Sequence, residues 1–173
     1  MARSAGIEGF CYYHDGCAGR SILERPFDDV LRPQKPDFPS CLCWADEAWS
    51  GTWHGTPNRI LIEQTYPGLD AHRAHFEALL PAFRDGRYIR VGGKPMFLSY
   101  KPEKLPEPKA SLATWQAMAV QAGFPGLHIV GMSADVRWSA EEHGFGAKVA
   151  PPLVRMRRLV SRRQPVKWAR RWL

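Results

Sequence analysis

The apolar positions of the chain fall into short continuous runs that alternate with longer amphipathic or polar segments. Runs without a polar residue at every second position are typical of parallel strands that are buried on both faces. The strands predicted in this way are residues 7–14, 38–44, 59–63, 95–100, 127–132 and 146–150. The intervening segments predict helices at residues 26–31, 70–84 and 111–122. The alternation predicts an α/β fold in which helices cover a parallel sheet.

Two folds place helices over such a sheet, an open doubly wound sheet and a (β/α) barrel. No Gly-x-Gly-x-x-Gly motif follows the first predicted strand, so the open nucleotide-binding fold loses its main sequence support. Polar residues instead follow several predicted strands, at the edge where barrel enzymes build their active sites. A complete barrel needs about 250 residues. The 173-residue chain therefore predicts a partial (β/α)8 TIM-type barrel.

The candidate chemistry is concentrated after the second predicted strand, where two adjacent acids lie among three tryptophans. The acids are Asp46 and Glu47, and the tryptophans are Trp44, Trp49 and Trp53. Indole faces stack on the apolar faces of sugar rings, and carboxylates bind hydroxyls or move protons at a glycosidic oxygen. This combination predicts a sugar site. The alternative is that the aromatic residues cap a core while the acids face solvent.

Other strand ends and turns extend the candidate site. Tyr13 and His14 end the first strand, Tyr100 ends the fourth, and Lys94 lies in a Gly-Lys-Pro turn. We predict that these residues bind substrate, although His14 equally fits an internal hydrogen-bond network and Lys94 a simple turn.

A glycosidase also needs two carboxylates about 5–9.5 Å apart. For Glu47 the plausible partner from a neighbouring predicted strand is Glu63. We therefore predict Glu47 and Glu63 as the catalytic pair. The alternative for Glu47 is a salt bridge at the rim of the barrel.

Charge is distributed unevenly along the chain. The formal net charge is +7, but residues 151–173 hold eight basic side chains and no acid, which leaves the rest of the chain nearly neutral. A neutral body does not indicate nucleic acid as a partner. The basic segment 153–173 alternates cations with apolar residues. This pattern is compatible with peripheral contact with an anionic inner membrane and equally with a solvated extension. Pro165 interrupts any continuous helix there.

The four cysteines do not form a metal-binding motif. No Cys-x-x-Cys pair occurs among Cys11, Cys17, Cys41 and Cys43, so buried free thiols in a reducing compartment are the favoured interpretation over a zinc site. We predict no metal and no cofactor. The first residues lack the apolar stretch of a secretion signal and no run is long enough to span a membrane, which predicts a cytoplasmic protein.

Several segments, in order and at compatible spacing over residues 6–152, resemble the WbsX-type family, which is also described as glycoside hydrolase family 99-like. They are residues 6–14 (Gly-Ile-Glu-Gly-Phe-Cys-Tyr-Tyr-His), 23–26 (Leu-Glu-Arg-Pro), 37–39 (Asp-Phe-Pro), 41–45 (Cys-Leu-Cys-Trp-Ala) with Glu47 and Trp49, 61–64 (Leu-Ile-Glu-Gln), 88–90 (Tyr-Ile-Arg), 93–95 (Gly-Lys-Pro) and 100–102 (Tyr-Lys-Pro). The resemblance implies a barrel domain over residues 1–152 that forms or cleaves glycosidic bonds in bacterial O-antigen, lipopolysaccharide or other surface-polysaccharide synthesis. Its substrates would be a glycan or a nucleotide-linked or lipid-linked sugar.

The sequence also departs from the family pattern. Asp46 and Ala48 stand where the family has asparagines, Gly51 and Thr52 where it has arginines, and His54 where it has an acid. Residues 15–19 (Asp-Gly-Cys-Ala-Gly) replace a Tyr-Trp-Phe-Asn-Gly loop. The family's catalytic Asn-Glu-Trp-x-Glu-Gly strand has no counterpart, since Asn58 is the chain's single asparagine.

The resemblance therefore implies a barrel that lacks the first and last strands. We expect a glycan-processing domain that is truncated and catalytically impaired, with a complementing chain as a candidate partner. The alternatives are a non-catalytic carbohydrate-binding module and a degenerate fragment without a function of its own.

Overall fold

A computed structural model describes residues 1–17, 20–22 and 25–150 of the chain. The predictions for the basic segment 153–173 lie outside the described residues. None of the helices in the described ranges combines the length and apolar composition that a membrane crossing requires.

The described residues form nine strands and three α-helices. The strands are β1 (Phe10–Cys17), β2 (Arg20–Ile22), β3 (Ser40–Trp44), β4 (Trp49–Gly51), β5 (Thr56–Ile62), β6 (Arg90–Val91), β7 (Lys94–Ser99), β8 (His128–Met132) and β9 (Ala147–Val149). The helices are α1 (Arg25–Leu31), α2 (Leu69–Arg84) and α3 (Pro108–Gln121), with 3-10 turns at Arg3–Ala5, Thr52–His54, Pro102–Lys104 and Glu141–His143. The predicted helices are present, although α3 begins three residues before the predicted start because Pro108 occupies its first turn.

The main sheet is mostly parallel, which confirms the α/β fold class. Strands β1, β3, β7, β8 and β9 lie side by side in that order, and each neighbouring pair is parallel. Strand β2 pairs with the end of β1, and β6 with the start of β7, both antiparallel. The parallel strands therefore follow one another across the sheet in chain order, without the reversal that defines a doubly wound sheet.

The prediction that residues 59–63 form a parallel strand is wrong. Strand β5 pairs with β4 in a separate antiparallel hairpin. The cause is the tight connection, in which the turn Thr52–His54 ends at Gly55 with a left-handed φ of 73°. A reversal this short pairs adjacent segments with each other, whereas a parallel pairing needs a long crossover. Likewise, β1 continues through Asp15 to Cys17, beyond the predicted end of the first strand at residue 14.

Helices α2 and α3 pack on one face of the main sheet. Alternate strand residues Trp44, Phe97 and Ile129 are buried there. The Trp115 ring of α3 lies 5.9 Å from the Trp44 ring and 5.2 Å from the Phe97 ring, measured between centroids. The continuous apolar runs of the sequence thus supply the sheet side of an aromatic core.

The opposite face of the sheet carries the thiols. Cys11 is the direct register partner of Cys41 on the neighbouring strand, and Cys43 lies two residues further along the same face. All three are free thiols, with Cys41 and Cys43 buried as predicted. Cys11 is exposed, against the prediction, because it lies on β1 and on the face that α2 and α3 leave uncovered. The described residues contain no group of three or more histidines, cysteines or acids arranged to hold a metal ion.

Candidate functional site

The carboxyl ends of three parallel strands meet at one edge of the sheet. His14, Trp44 and Ser99 lie level with one another in the register of β1, β3 and β7. Backbone hydrogen bonds continue the ladder past the strands, from Ala45 to His14 and from Tyr100 to Trp44, each 2.9 Å long. The residues that follow the three strands are therefore held side by side, as expected for the ligand-binding edge of a parallel sheet.

Asp46 joins two of these strand ends from inside the protein. Its side chain is 0% exposed, and it accepts hydrogen bonds from the Ser99 hydroxyl and the Lys101 backbone N–H, each 2.5 Å long. Burial raises the pKa of the Asp46 carboxyl, and these two hydrogen bonds oppose that rise. The prediction that Asp46 binds substrate is wrong for this geometry, because no part of its carboxylate reaches solvent.

Glu47 lies at a bend between β3 and β4 and, unlike Asp46, is partly exposed. Its side chain is 38% exposed, and Lys104 Nζ lies 3.9 Å from its Oε2. A solvated pair at this separation stabilises little. The carboxylate of Glu47 therefore stands at the surface of the strand edge, accessible to a ligand.

A small, open cleft lies beside Glu47. It is lined by Asp15, Gly16, Ala45, Glu47, Trp49, Ile62 and Gln64, and is called the acid cleft below. The β4–β5 hairpin supplies its outer wall and the ends of β1 and β3 supply its floor. The acid cleft therefore exists because the hairpin folds back over the carboxyl edge of the main sheet.

Three hydrogen bonds to the end of β1 organise this part of the structure. Trp49 Nε1 donates to Asp15 Oδ1 over 3.1 Å. Gln64 Nε2 and Trp44 Nε1 both donate to the Gly16 carbonyl, over 3.1 and 2.9 Å. Residues 15 and 16 thus fix the side chains of the cleft wall to the sheet.

Gly16 also needs to be a glycine. A Cβ atom at this position would lie 2.8 Å from His75 Nε2 and 3.0 Å from His14 Nε2, closer than real Cβ contacts. The backbone of β1 can therefore approach the two imidazoles only where no side chain intervenes.

His14 and His75 form a pair next to Gly16, with His75 buried and His14 partly buried. Their Nε2 atoms are 2.8 Å apart, and their rings stack with centroids 4.9 Å apart. Burial, and after it the neighbouring His14 and His72, holds the pKa of His75 well below its usual range. The structure therefore places His14 in an internal network, which is the alternative that the sequence left open.

We expect this network to make stability depend on pH. In the unfolded chain a histidine takes up a proton as the pH falls through about 6.5, but folded His75 does not. The free energy of unfolding should therefore fall below about pH 6.5, by about 1.4 kcal/mol per pH unit for His75 alone until its folded pKa is reached. His72 acts in the same direction, since burial lowers its pKa, while the raised pKa of Asp46 opposes both at lower pH.

Urea unfolding between pH 8 and pH 5 measures this dependence. His75→Gln should flatten it, and the matched variant His54→Gln, which changes an exposed histidine of the Thr52–His54 turn, should not. Equal slopes for wild type and His75→Gln would contradict the prediction.

Exposed Tyr13 and half-buried Tyr100 form an aromatic pair on the same edge. Their rings meet edge to face with centroids 5.7 Å apart, and Tyr13 is 59% exposed. Burial raises the pKa of Tyr13, and the nearby Cys43, Tyr100, Cys11 and Glu47 add to this rise in smaller amounts. Lys101 Nζ lies 4.8 Å from the Tyr100 ring centroid. Tyr13 therefore lies near both Tyr100 and Glu47 at this edge.

Other predicted site residues lie elsewhere. Trp44 is 4% exposed and packs in the core, so its predicted role as a stacking surface is not supported. Lys94 starts β7 and lies at the opposite edge of the sheet from Tyr100. Glu63 is exposed just after β5 and does not line the acid cleft. The prediction for the Trp53 side chain lies outside the part of the chain that the structure describes.

Sequence reasoning missed two polar residues of the acid cleft, Asp15 and Gln64. Asp15 gave a usable signal, since it is an acid directly after His14 in a predicted strand. It was overlooked because the following glycines indicated a flexible loop. Gln64 gave no comparable signal, because its position depends on the unforeseen hairpin.

Comparison with known proteins identifies similar chains. The family model described as Glycosyltransferase WbsX matches residues 1–171. Proteins from two strains of Xanthomonas campestris pv. campestris, both described as uncharacterized protein WxcX, are 32% identical to this chain over 154 residues. The match covers 88% of this chain and 22% of each relative, so the chain spans less than a quarter of the length of these curated relatives.

A solved structure shares the fold. A glycoside hydrolase-like protein superposes with a TM-score of 0.53 at 18% identity, covering 87% of this chain and 47% of its own. The match to the family model extends over nearly the whole sequence and agrees with the motifs at the strand ends. The chain belongs to the WbsX glycosyltransferase family.

Proposed function

We propose that the carboxyl edge of the sheet is the sugar-binding site of a glycan-processing protein. The observation that carries the proposal is the acid cleft, in which Glu47 and Trp49 face one space beside the tyrosine pair. The half-buried indole of Trp49 and the exposed ring of Tyr13 offer apolar faces to a sugar ring, and the solvated carboxylate of Glu47 accepts hydrogen bonds from its hydroxyls. Family membership supports a sugar as the ligand.

The strand order supports a barrel as the architecture. Five parallel strands in chain order are what a singly wound (β/α) barrel requires, with the active site at the carboxyl ends. We propose that residues 1–152 form part of such a barrel domain and that residues 153–173 form a separate basic segment. Contact of that segment with an anionic membrane on the cytoplasmic side is a proposal that its sequence alone supports.

The chemistry at this edge favours binding over turnover. Of the four acids nearest the strand ends, Asp46 is fully buried and Glu63 does not line the cleft. The other two, Asp15 and Glu47, both line the cleft, but Asp15 already accepts a hydrogen bond from the Trp49 indole N–H. The sequence also has no Asn-Glu-Trp-x-Glu-Gly segment, the family's source of the catalytic carboxylate pair. We propose that residues 1–173 by themselves bind sugar without forming or breaking glycosidic bonds, and that any transfer needs acids from outside these residues.

The test is calorimetric binding of a panel of mannosides and bacterial surface oligosaccharides, with mass spectrometry for products. Wild type should bind without product. Trp49→Ala should weaken binding about tenfold, the equivalent of about 1.4 kcal/mol of stacking, and Glu47→Gln should weaken it several-fold.

Two matched variants serve as controls for these losses. Glu63→Gln changes an acid outside the cleft, and Lys94→Ala changes the opposite edge, so both should bind like wild type. The absence of binding by wild type, or equal losses in the controls, would contradict the site. If wild type formed product and Glu47→Gln did not, the proposal that residues 1–173 bind sugar without turnover would be contradicted.

A further inference from the structure

Asp15 is the acid that shares the cleft with Glu47. The two lining carboxylates come from different strand ends, Asp15 from β1 and Glu47 from the segment after β3. The sequence pointed to Glu63 as the second acid, but in the chain Ile62 and Gln64 line the cleft on either side of it. Residues next to each other in an extended segment project in opposite directions, which explains why Glu63 is left outside.

The two oxygens of Asp15 have different surroundings. Oδ1 accepts the indole hydrogen of Trp49 over 3.1 Å, which fixes the plane of the ring that walls the cleft. The carboxylate also lines the cleft, so acceptor capacity remains for a ligand beyond this one bond. Asp15 therefore couples the stacking surface to a hydrogen-bond acceptor in the same space.

The surrounding charges restrict what can bind. The lining residues include two acids, one amide and no cation. Two lysines lie close by without lining the cleft: Lys104 Nζ is 3.9 Å from Glu47 Oε2, and Lys101 lies over the Tyr100 ring. A sugar that carries its own carboxylate would meet two like charges in the cleft, whereas an uncharged sugar would meet only acceptors for its hydroxyls.

From these observations we infer that Asp15 is the specificity-determining residue of the acid cleft. It orients Trp49 through one carboxylate oxygen, accepts a hydroxyl of an uncharged sugar, and with Glu47 repels acidic sugars. This inference rests on the proposed sugar-binding function and adds the class of sugar and the residue that selects it.

The test uses two substitutions of Asp15 that separate its roles. Asp15→Asn keeps an oxygen that can accept the Trp49 indole hydrogen but removes the charge, while Asp15→Ala removes both. Asp70→Asn, at an exposed aspartate of α2, is the matched control. The ligands are an oligoglucoside and the corresponding oligoglucuronide. The neutral sugar that binds wild type best in the panel is measured as a third ligand.

Wild type should bind the neutral ligand at least tenfold more tightly than its acidic counterpart. Asp15→Asn should bind the neutral ligand about threefold more weakly than wild type does. The ratio of its affinities for the neutral and the acidic ligand should also be smaller than that of wild type. Asp15→Ala should lose tenfold or more, and Asp70→Asn should behave like wild type. Thermal melting of each variant separates a loss of affinity from a loss of fold.

A spectroscopic readout tests the contact with Trp49 directly. The indole N–H resonance of Trp49, assigned by its absence in Trp49→Phe, should move in Asp15→Ala and stay close to the wild-type position in Asp15→Asn. A resonance unchanged in both variants would overturn the orienting role.

The outcomes distinguish this inference from the proposed function. If wild type binds and Trp49→Ala does not, but both Asp15 variants bind and discriminate like wild type, the role of Asp15 is wrong and the sugar site stands. If wild type binds no sugar, both proposals fail together.

Discussion

Replacing Trp115 with alanine is expected to lower the free energy of unfolding by about 3–5 kcal/mol. The side chain lies between Trp44 and Phe97 of the sheet, and its Nε1 donates a 2.8 Å hydrogen bond to the His72 carbonyl. Alanine would leave a large cavity where helix and sheet meet, and it would remove the side-chain hydrogen bond to the His72 carbonyl. Because small domains have only about 5–15 kcal/mol of stability in total, a large part of it would be lost.

Chemical denaturation of three tryptophan variants measures this effect. Trp115→Phe should lie between wild type and Trp115→Ala, since it retains most ring contacts but loses the hydrogen bond. Trp49→Ala should change stability far less while it reduces sugar binding. Equal destabilisation by Trp115→Ala and Trp49→Ala would mean that the core is not where the structure puts it.

Replacing Asp46 with alanine should lower the free energy of unfolding by about 2–4 kcal/mol. The substitution leaves the Ser99 hydroxyl and the Lys101 N–H in a site without solvent and without their acceptor. Each unsatisfied buried group costs about 1–3 kcal/mol. The strand ends that carry Tyr100 and Glu47 would also lose their connection, so sugar binding should weaken along with stability.

Asp46→Asn discriminates this mechanism from a simple loss of charge. An asparagine oxygen can still accept from Lys101, and its amide can donate to Ser99, whose hydroxyl is able to reverse. Because burial raises the pKa of the Asp46 carboxyl, its charged form is less favourable here than in water, so removal of the charge should cost less than removal of the acceptor. If Asp46→Asn were destabilised as much as Asp46→Ala, this explanation would be wrong. Asp70→Ala, at an exposed aspartate of α2, serves as the control.

Much of the fold could be predicted from the sequence because its elements are strongly marked. Continuous apolar runs identified the five strands of the parallel sheet, and helical spacing identified α2. The β4–β5 hairpin could not be predicted, because Trp49–Gly51 is three residues long and reads as loop. The tight turn at Gly55 decides that β5 pairs with β4, and the spacing of apolar residues carries no information about which strands pair.

The site was predicted in part for a similar reason. The rule that function gathers at carboxyl ends of parallel strands found Tyr13, Glu47 and Tyr100, but it cannot tell which face a side chain takes. Trp44 was therefore assigned to the site although it faces the helices. Lys94 precedes its strand, so the same rule applied strictly would have excluded it.

The order of the parallel strands has a consequence for how the chain acquires its structure. Each new strand joins the strand of the parallel sheet that was synthesised just before it. During translation the N-terminal strand leaves the ribosome first, and every later strand finds its neighbour already present. Contacts between nearby parts of a sequence also favour rapid folding. The sheet can therefore grow by one edge in step with synthesis, and no strand has to be inserted between two that have already paired.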